Sequence, residues 1–187
     1  CADRGPANEK RGTAALRNVV LIGFMGTGKS TIGRRLARVL DRPFMDTDAE
    51  IERLVGKPVS RIFKEDGEIR FRSEETLLCR KLAAPQGLVV ATGGGIVLDP
   101  DNVRNLRAGG VLIALTADPA VIYDRVRRKE NRPLLYGDVR GRIDELLRAR
   151  AGAYDVAELT IDTGKHTPAE TVRLILNYLK ERNYLDP

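Results

Sequence analysis

A chain of 187 residues with 42% hydrophobic content is long enough to bury one good core, and its length argues for a single domain. No stretch approaches the ~18 consecutive apolar residues of a membrane span, and the N-terminus lacks the apolar segment of a signal peptide, so a cytoplasmic protein with no membrane partner is expected. The 32 Lys and Arg against 26 Asp and Glu give a net charge of +6, which suits anionic small molecules; with aromatics at 5% and the basic residues spread out, there is no aromatic-interleaved basic stripe and nucleic acid is not expected as a partner.

Residues 1–16 are polar, contain Gly and Pro, show no periodicity and read as a mobile arm, leaving one domain over 17–187. From Asn18 the chain alternates. Apolar, β-rich runs at 18–23, 43–46, 88–92, 111–115 and 158–162 are separated by helical patterns, which predicts a parallel sheet with helices on both faces. Residues 47–86 hold at least two helical segments, broken around Gly56-Lys57-Pro58 and Asp66-Gly67. Asp118-Pro119 has the form of an N-cap followed by Pro at the first helical position, and Thr167-Pro168-Ala169-Glu170 adds a capping box before a last helix that closes on Tyr178 and Leu179. Residues 129–137 form a basic loop with Pro and Gly. Such insertions in phosphoryl-transfer enzymes cover the acceptor or close over the nucleotide, so specificity is sought in 47–86 and 129–137. Cys1 and Cys79 are too few for a disulfide framework and lie in no metal-binding spacing; Cys79 is expected as a buried thiol.

The first strand runs directly into Gly23-x-x-x-x-Gly28-Lys29-Ser30, a phosphate-binding loop in the strand–loop–helix context the motif requires. Its glycines, Gly26 and Gly28 among them, allow close backbone approach, so the N–H groups around Thr27 and on to Thr31 can point into one anionic concavity. Lys29, expected in a solvent-accessible loop, adds charge for the β- and γ-phosphates, the Ser30 hydroxyl is placed to ligate Mg²⁺, and the helix starting here directs its positive end at the same phosphates.

Asp46-Thr47-Asp48 stands where the second strand ends, at the carboxyl edge of the sheet beside that loop. Period-2 alternation would point Asp46 and Asp48 the same way, a carboxylate pair able to hold Mg²⁺ through water and to accept a hydrogen bond from a hydroxyl nucleophile; the alternative is a helix N-cap for Asp48. Gly93-Gly94-Gly95 follows the third strand, where three glycines leave exposed N–H groups and room for a ligand against the backbone, unless they are a plain flexible turn. Arg72 has Glu75 three residues on, either as a partner that holds its guanidinium in place or as a solvated ion pair. Arg132, before Pro133, and Arg150, near a helix end, offer planar forks for phosphate or carboxylate against a default of surface charge. His166, the only histidine, precedes a helix cap and is not expected to be catalytic.

In order and at familiar spacings, Gly23 to Thr31, Asp46-Thr47-Asp48, Phe71-Arg72 with Glu75, Thr92-Gly93-Gly94-Gly95, Arg132-Pro133-Leu134-Leu135 and Arg150 with Tyr154 together resemble shikimate kinase, from about residue 18 to the end. The resemblance implies an α/β fold of the P-loop nucleoside-monophosphate-kinase type, with a five-stranded parallel sheet in the order 2-3-1-4-5. It further implies an ATP-dependent kinase acting on shikimate, with Asp48, Arg72, Gly94 and Arg150 binding shikimate beside Gly93 and Gly95, the two arginines gripping its carboxylate. Ser30 and Asp46 would serve Mg²⁺, Lys29 and Arg132 the transferring phosphoryl group, with Arg132 on a mobile lid, while Arg125 and the loop around Lys165 would flank adenine. Where the family usually reads Arg-x-Pro-Leu-Tyr, this chain has Arg150-Ala151-Gly152-Ala153-Tyr154, which loosens the turn after the substrate arginine. A monomer is expected. The rival readings are another small-molecule kinase of the same fold, such as a gluconate kinase, and a non-catalytic ATP-binding module; a nucleoside monophosphate acceptor fits an arginine pair less well.

Overall fold

The computed structural model describes residues 16–128 and 137–185. Five strands, β1 (Asn18–Ile22), β2 (Phe44–Asp46), β3 (Val89–Ala91), β4 (Gly110–Thr116) and β5 (Leu159–Asp162), form one parallel sheet in the order β2-β3-β1-β4-β5, as the resemblance implies. Val19 stands beside Val89 on one side and Val111 on the other. The three inner strands are near-continuous apolar runs because both their faces are covered, whereas the edge strands Phe44–Asp46 and Leu159–Asp162 carry polar residues and are less buried.

Alternation along those strands supplies two cores. One side chain set, Val20, Ile22, Val90, Leu112 and Ala114, packs with Ile51 of α2 (Thr47–Val55), Ile62 of α3 (Val59–Glu65), Phe71, Leu78 and Leu82 of α4 (Glu68–Leu82) and Leu106 of α5 (Pro100–Gly109). The other, Val19, Leu21, Val89, Val111, Ile113 and Leu115, meets Ile32 and Leu36 of α1 (Lys29–Leu40) and Val172, Ile175 and Leu179 of α8 (Pro168–Glu181). A third cluster joins Phe24 and Met25 of the phosphate loop to Ile122 and Val126 of α6 (Pro119–Val126) and Ile143 of α7 (Val139–Ala149), so the loop has a floor of its own.

The segment 47–86 breaks at both expected places and holds three helices, in keeping with the expectation of at least two. Gly56 ends α2 with its N–H on the Glu52 carbonyl, Pro58 leads into α3, and Asp66 and Gly67 close that helix on the Ile62 carbonyl. The capping box of α8 is present in both directions, Thr167 Oγ1 accepting from Glu170 N at 3.1 Å and Glu170 Oε2 from Thr167 N at 2.8 Å. Asp118 stands at the N-cap of α6 without a side-chain capping bond. Cys79 is a buried thiol, and burial pushes it up to about 12, out of reach of thiolate chemistry. No helix among the described residues is long and apolar enough to cross a membrane.

Candidate active site

The phosphate loop leaves β1 and returns into α1 through Gly26 and Gly28, whose φ values of 77° and 95° lie in the region that only glycine adopts without strain. Lys29 corrects an expectation. It is 8% exposed, and its ammonium donates to the carbonyls of Gly23 and Phe24 at 2.7 and 2.8 Å rather than standing in solvent. Those carbonyl dipoles supply the solvation that a buried cation needs.

Asp46 and Asp48 also differ from the strand-alternation reading. Asp46, the last residue of β2, is the N-cap of α2, and Asp48 already lies in that helix. Asp46 divides its carboxylate: Oδ1 accepts from the amides of Asp48 and Ala49 at 3.1 and 3.3 Å, and Oδ2 accepts from Ser30 Oγ at 2.7 Å. The cap fixes the second oxygen beside the hydroxyl that follows the loop lysine. Thr47 between them is fully buried and its Oγ1 accepts from Gly93 N at 2.9 Å, so that amide, expected to be exposed to ligand, is already engaged.

The three glycines after β3 are there for space. A Cβ on Gly93 would stand 2.7 Å from Asp48 Oδ1 and 3.0 Å from Glu75 Oε1; on Gly94, 3.2 Å from Arg150 Nη1; on Gly95, 2.6 Å from both terminal nitrogens of Arg72. Gly93 thereby admits two carboxyl groups to the turn and Gly94 and Gly95 one arginine each, which a plain flexible connection would not require. Arg72 comes from α4 and donates to Glu75 Oε2 at 2.7 Å and to Glu68 at 3.2 Å. Its partner Glu75 is 1% exposed, so the pair is not the solvated one that spacing alone allows. Burial lifts the Glu75 carboxyl to about 7, against the lowering pull of Arg72, and the Asp48 charge adds to the rise.

Arg150 caps α7 and is 6% exposed, with its guanidinium 5.7 Å from the centre of the Phe24 ring. Tyr154 donates to the Gly94 carbonyl at 2.7 Å, so with Gly152 and Ala153 in place of the usual pair the chain still delivers both ends of the motif to the glycine turn.

At the other end Arg125 of α6 donates to the Gly26 carbonyl at 3.2 Å and to both the hydroxyl and the carbonyl of Thr163 at 3.0 Å. Lys165 is an exposed side chain 3.8 Å from Asp162 Oδ2, while its neighbours His166 and Pro168 line the cleft. Arg132 and residues 129–136 of the expected lid lie outside the described residues.

A cleft of about 940 Å³ runs from the phosphate loop to the glycine turn, lined by Gly26 to Thr31, Asp46, Asp48, Thr92 to Gly94, Arg125, Thr163 and His166; Arg72, Arg150 and Lys165 are not in its lining. Among the described residues no three His, Cys, Asp or Glu cluster as a metal cage. The oxygen donors of Ser30 and Asp46 instead fit a hard cation such as Mg²⁺, which keeps water and takes the rest of its ligands from phosphates. Thr163 escaped the sequence reading, as did the part played by Thr47 within Asp46-Thr47-Asp48: both depend on hydrogen bonds to residues 136 and 46 positions away in the chain.

The shikimate kinase family model matches residues 25–180. The chain is 74% identical to the shikimate kinase of Desulforudis audaxviator over 171 residues, 91% of this chain and 90% of that one. It is 59% identical to the shikimate kinase of Pelotomaculum thermopropionicum over 91% of this chain and all of that one. Among solved structures, the shikimate kinase of Acinetobacter baumannii in complex with shikimate superposes with a TM-score of 0.84 at 36% identity, covering 89% of this chain and 94% of that one. With the phosphate loop, the acidic cap and the arginine-flanked glycine turn all in place, this chain belongs to the shikimate kinase family of ATP-dependent phosphotransferases.

Proposed function

We propose that this chain transfers the γ-phosphoryl group of ATP to the 3-hydroxyl of shikimate, giving shikimate 3-phosphate and ADP on the route to chorismate and the aromatic amino acids. The observation that carries the reading is the convergence of Arg72, Arg150 and Asp48 on Gly93–Gly95, next to the phosphate loop. Two guanidinium forks suit a carboxylate, and one carboxylate suits a hydroxyl, so this turn takes an anionic polyol at its two ends. The Acinetobacter relative with shikimate bound supports the choice of acid.

In this reading Arg72 and Arg150 hold the acceptor's carboxylate and Asp48 orients its reacting hydroxyl and can take its proton. Lys29 leaves its loop carbonyls for the phosphates, and the resemblance assigns Arg132 to the same charge. Mg²⁺ held by Ser30, and through water by Asp46, would neutralise phosphate charge. Catalysis then rests on positioning and electrostatics. We take the enzyme as a cytoplasmic monomer with one kinase domain over 17–187, an arm before it, the acceptor region in 47–86 and a lid at 129–137. ADP release measured with a panel of acceptors tests the proposal: shikimate should stimulate it strongly and gluconate should not. Stimulation by gluconate, or none by shikimate, would overturn it.

A further inference from the structure

A phosphate-binding loop can aim its N–H groups inward only if its carbonyls are held outward, because the C=O and the following N–H of a trans peptide point in opposite directions. No cis peptide occurs among the described residues, so the carbonyl partners report where each amide faces. Lys29 takes the Gly23 and Phe24 carbonyls, and Ile32 N takes that of Gly28 within the helix. The two carbonyls at the tip of the loop are held by residues far away in sequence. Arg125 Nη1 takes Gly26 O at 3.2 Å, and Thr163 Oγ1 donates to Thr27 O at 2.7 Å.

Thr163 is the junction of this network. It follows β5 and is 7% exposed; its hydroxyl accepts from Arg125 Nη1 at 3.0 Å, its carbonyl accepts from Arg125 Nη2 at 3.0 Å, and its amide donates to Thr116 O at 2.8 Å. One side chain thereby ties the ends of β4 and β5 and helix α6 to the loop tip, with Thr116 O also 3.1 Å from the hydroxyl. Gly26 is pressed on the same helix, where a Cβ would meet Val126 at 2.7 Å.

We infer that Thr163 is a positioning residue for nucleotide binding: its hydroxyl anchors the Thr27 carbonyl and so fixes the direction of the Gly28 amide, while Arg125, held in place by Thr163, does the same for the Thr27 amide. The inference rests on the kinase reading for its choice of nucleotide. It needs no assumption about the acceptor.

Thr163→Val keeps the shape and removes the hydroxyl; Thr163→Ser keeps the hydroxyl and removes a methyl. Leaving Thr27 O and Arg125 without that partner should raise KM for ATP and the calorimetric Kd for ADP by about tenfold in Thr163→Val, with KM for shikimate within about twofold of the parent. Thr163→Ser should restore the nucleotide constants. Unchanged ADP affinity in Thr163→Val overturns the inference, as does an equal loss in both variants, which would assign the residue to packing. Should Thr163→Val melt too low to assay, Thr163→Ala takes its place with the same expectations. The ADP titration stands even if shikimate proves not to be the acceptor, so failure of the kinase reading and failure of this inference are separable.

Discussion

Arg72 Nη1 lies 2.7 Å from Oε2 of Glu75, a carboxylate with 1% exposure, and the same guanidinium occupies the space that a side chain on residue 95 would need. Arg72 is thus clamped between a buried acid and a bare backbone. Its direction is set before any ligand arrives, which lowers the ordering cost of gripping a carboxylate.

Gly95→Ala should break this clamp from the backbone side. The new Cβ must displace the Arg72 guanidinium, so KM for shikimate should rise by about tenfold or more while KM for ATP holds, since binding to one substrate alone is removed. Steady-state kinetics with each substrate varied in turn checks it, and a parallel rise in both constants would point to collapse of the sheet edge instead.

Glu75 gives a pH signature. A carboxyl standing at about 7 in the folded chain, against an ordinary 4.5, keeps a proton that the unfolded chain has released between those values. Its contribution to stability is therefore full below about 4.5 and is lost as pH rises through about 7. Denaturant unfolding across pH 5 to 8 should show this decline, and Glu75→Gln, which cannot titrate, should remove it. Above about pH 7, where Glu75 is ionised in the folded chain, the same variant should weaken shikimate binding roughly threefold to tenfold by replacing a charged partner of Arg72 with a neutral one.

Much of this was legible in the chain itself. The inner strands read as apolar runs because both faces are covered, and the glycines at 56 and 67 marked the breaks where they occur. The reading failed at Asp46-Thr47-Asp48, where a strand of three residues passes into a helix without a linker, so alternation stops at Asp46, two residues before Asp48. It also took the Gly93 amide as open to ligand, although Thr47 holds it, and it missed Thr163, because hydrogen bonds between distant segments leave no local pattern.

Asp46 and Asp48 should separate by their response to metal. Asp46→Asn retains a capping oxygen but loses the charge beside Ser30, so its Mg²⁺ requirement should rise and its rate should recover in part at high Mg²⁺. Asp48→Asn should lower turnover about 10²-fold or more without rescue by Mg²⁺. Turnover against Mg²⁺ concentration decides between them, and the reverse pattern would exchange the two roles.

Lys29→Ala should lower turnover by about 10²-fold or more through loss of charge at the phosphates. Because the ammonium also holds the Gly23 and Phe24 carbonyls, a fall in melting temperature should accompany the kinetic loss, and Lys29→Met, which keeps the apolar stem, should lose the rate with less of the packing.

The central claim is that Arg72 and Arg150 make this turn an acid-binding site. ADP release measured with shikimate and with its methyl ester, which keeps every hydroxyl and removes the carboxylate charge, addresses it directly. Charged hydrogen bonds to the two guanidinium groups predict that kcat/KM falls roughly 10²-fold or more for the ester. An ester turned over as efficiently as the acid would contradict the assignment of the arginine pair.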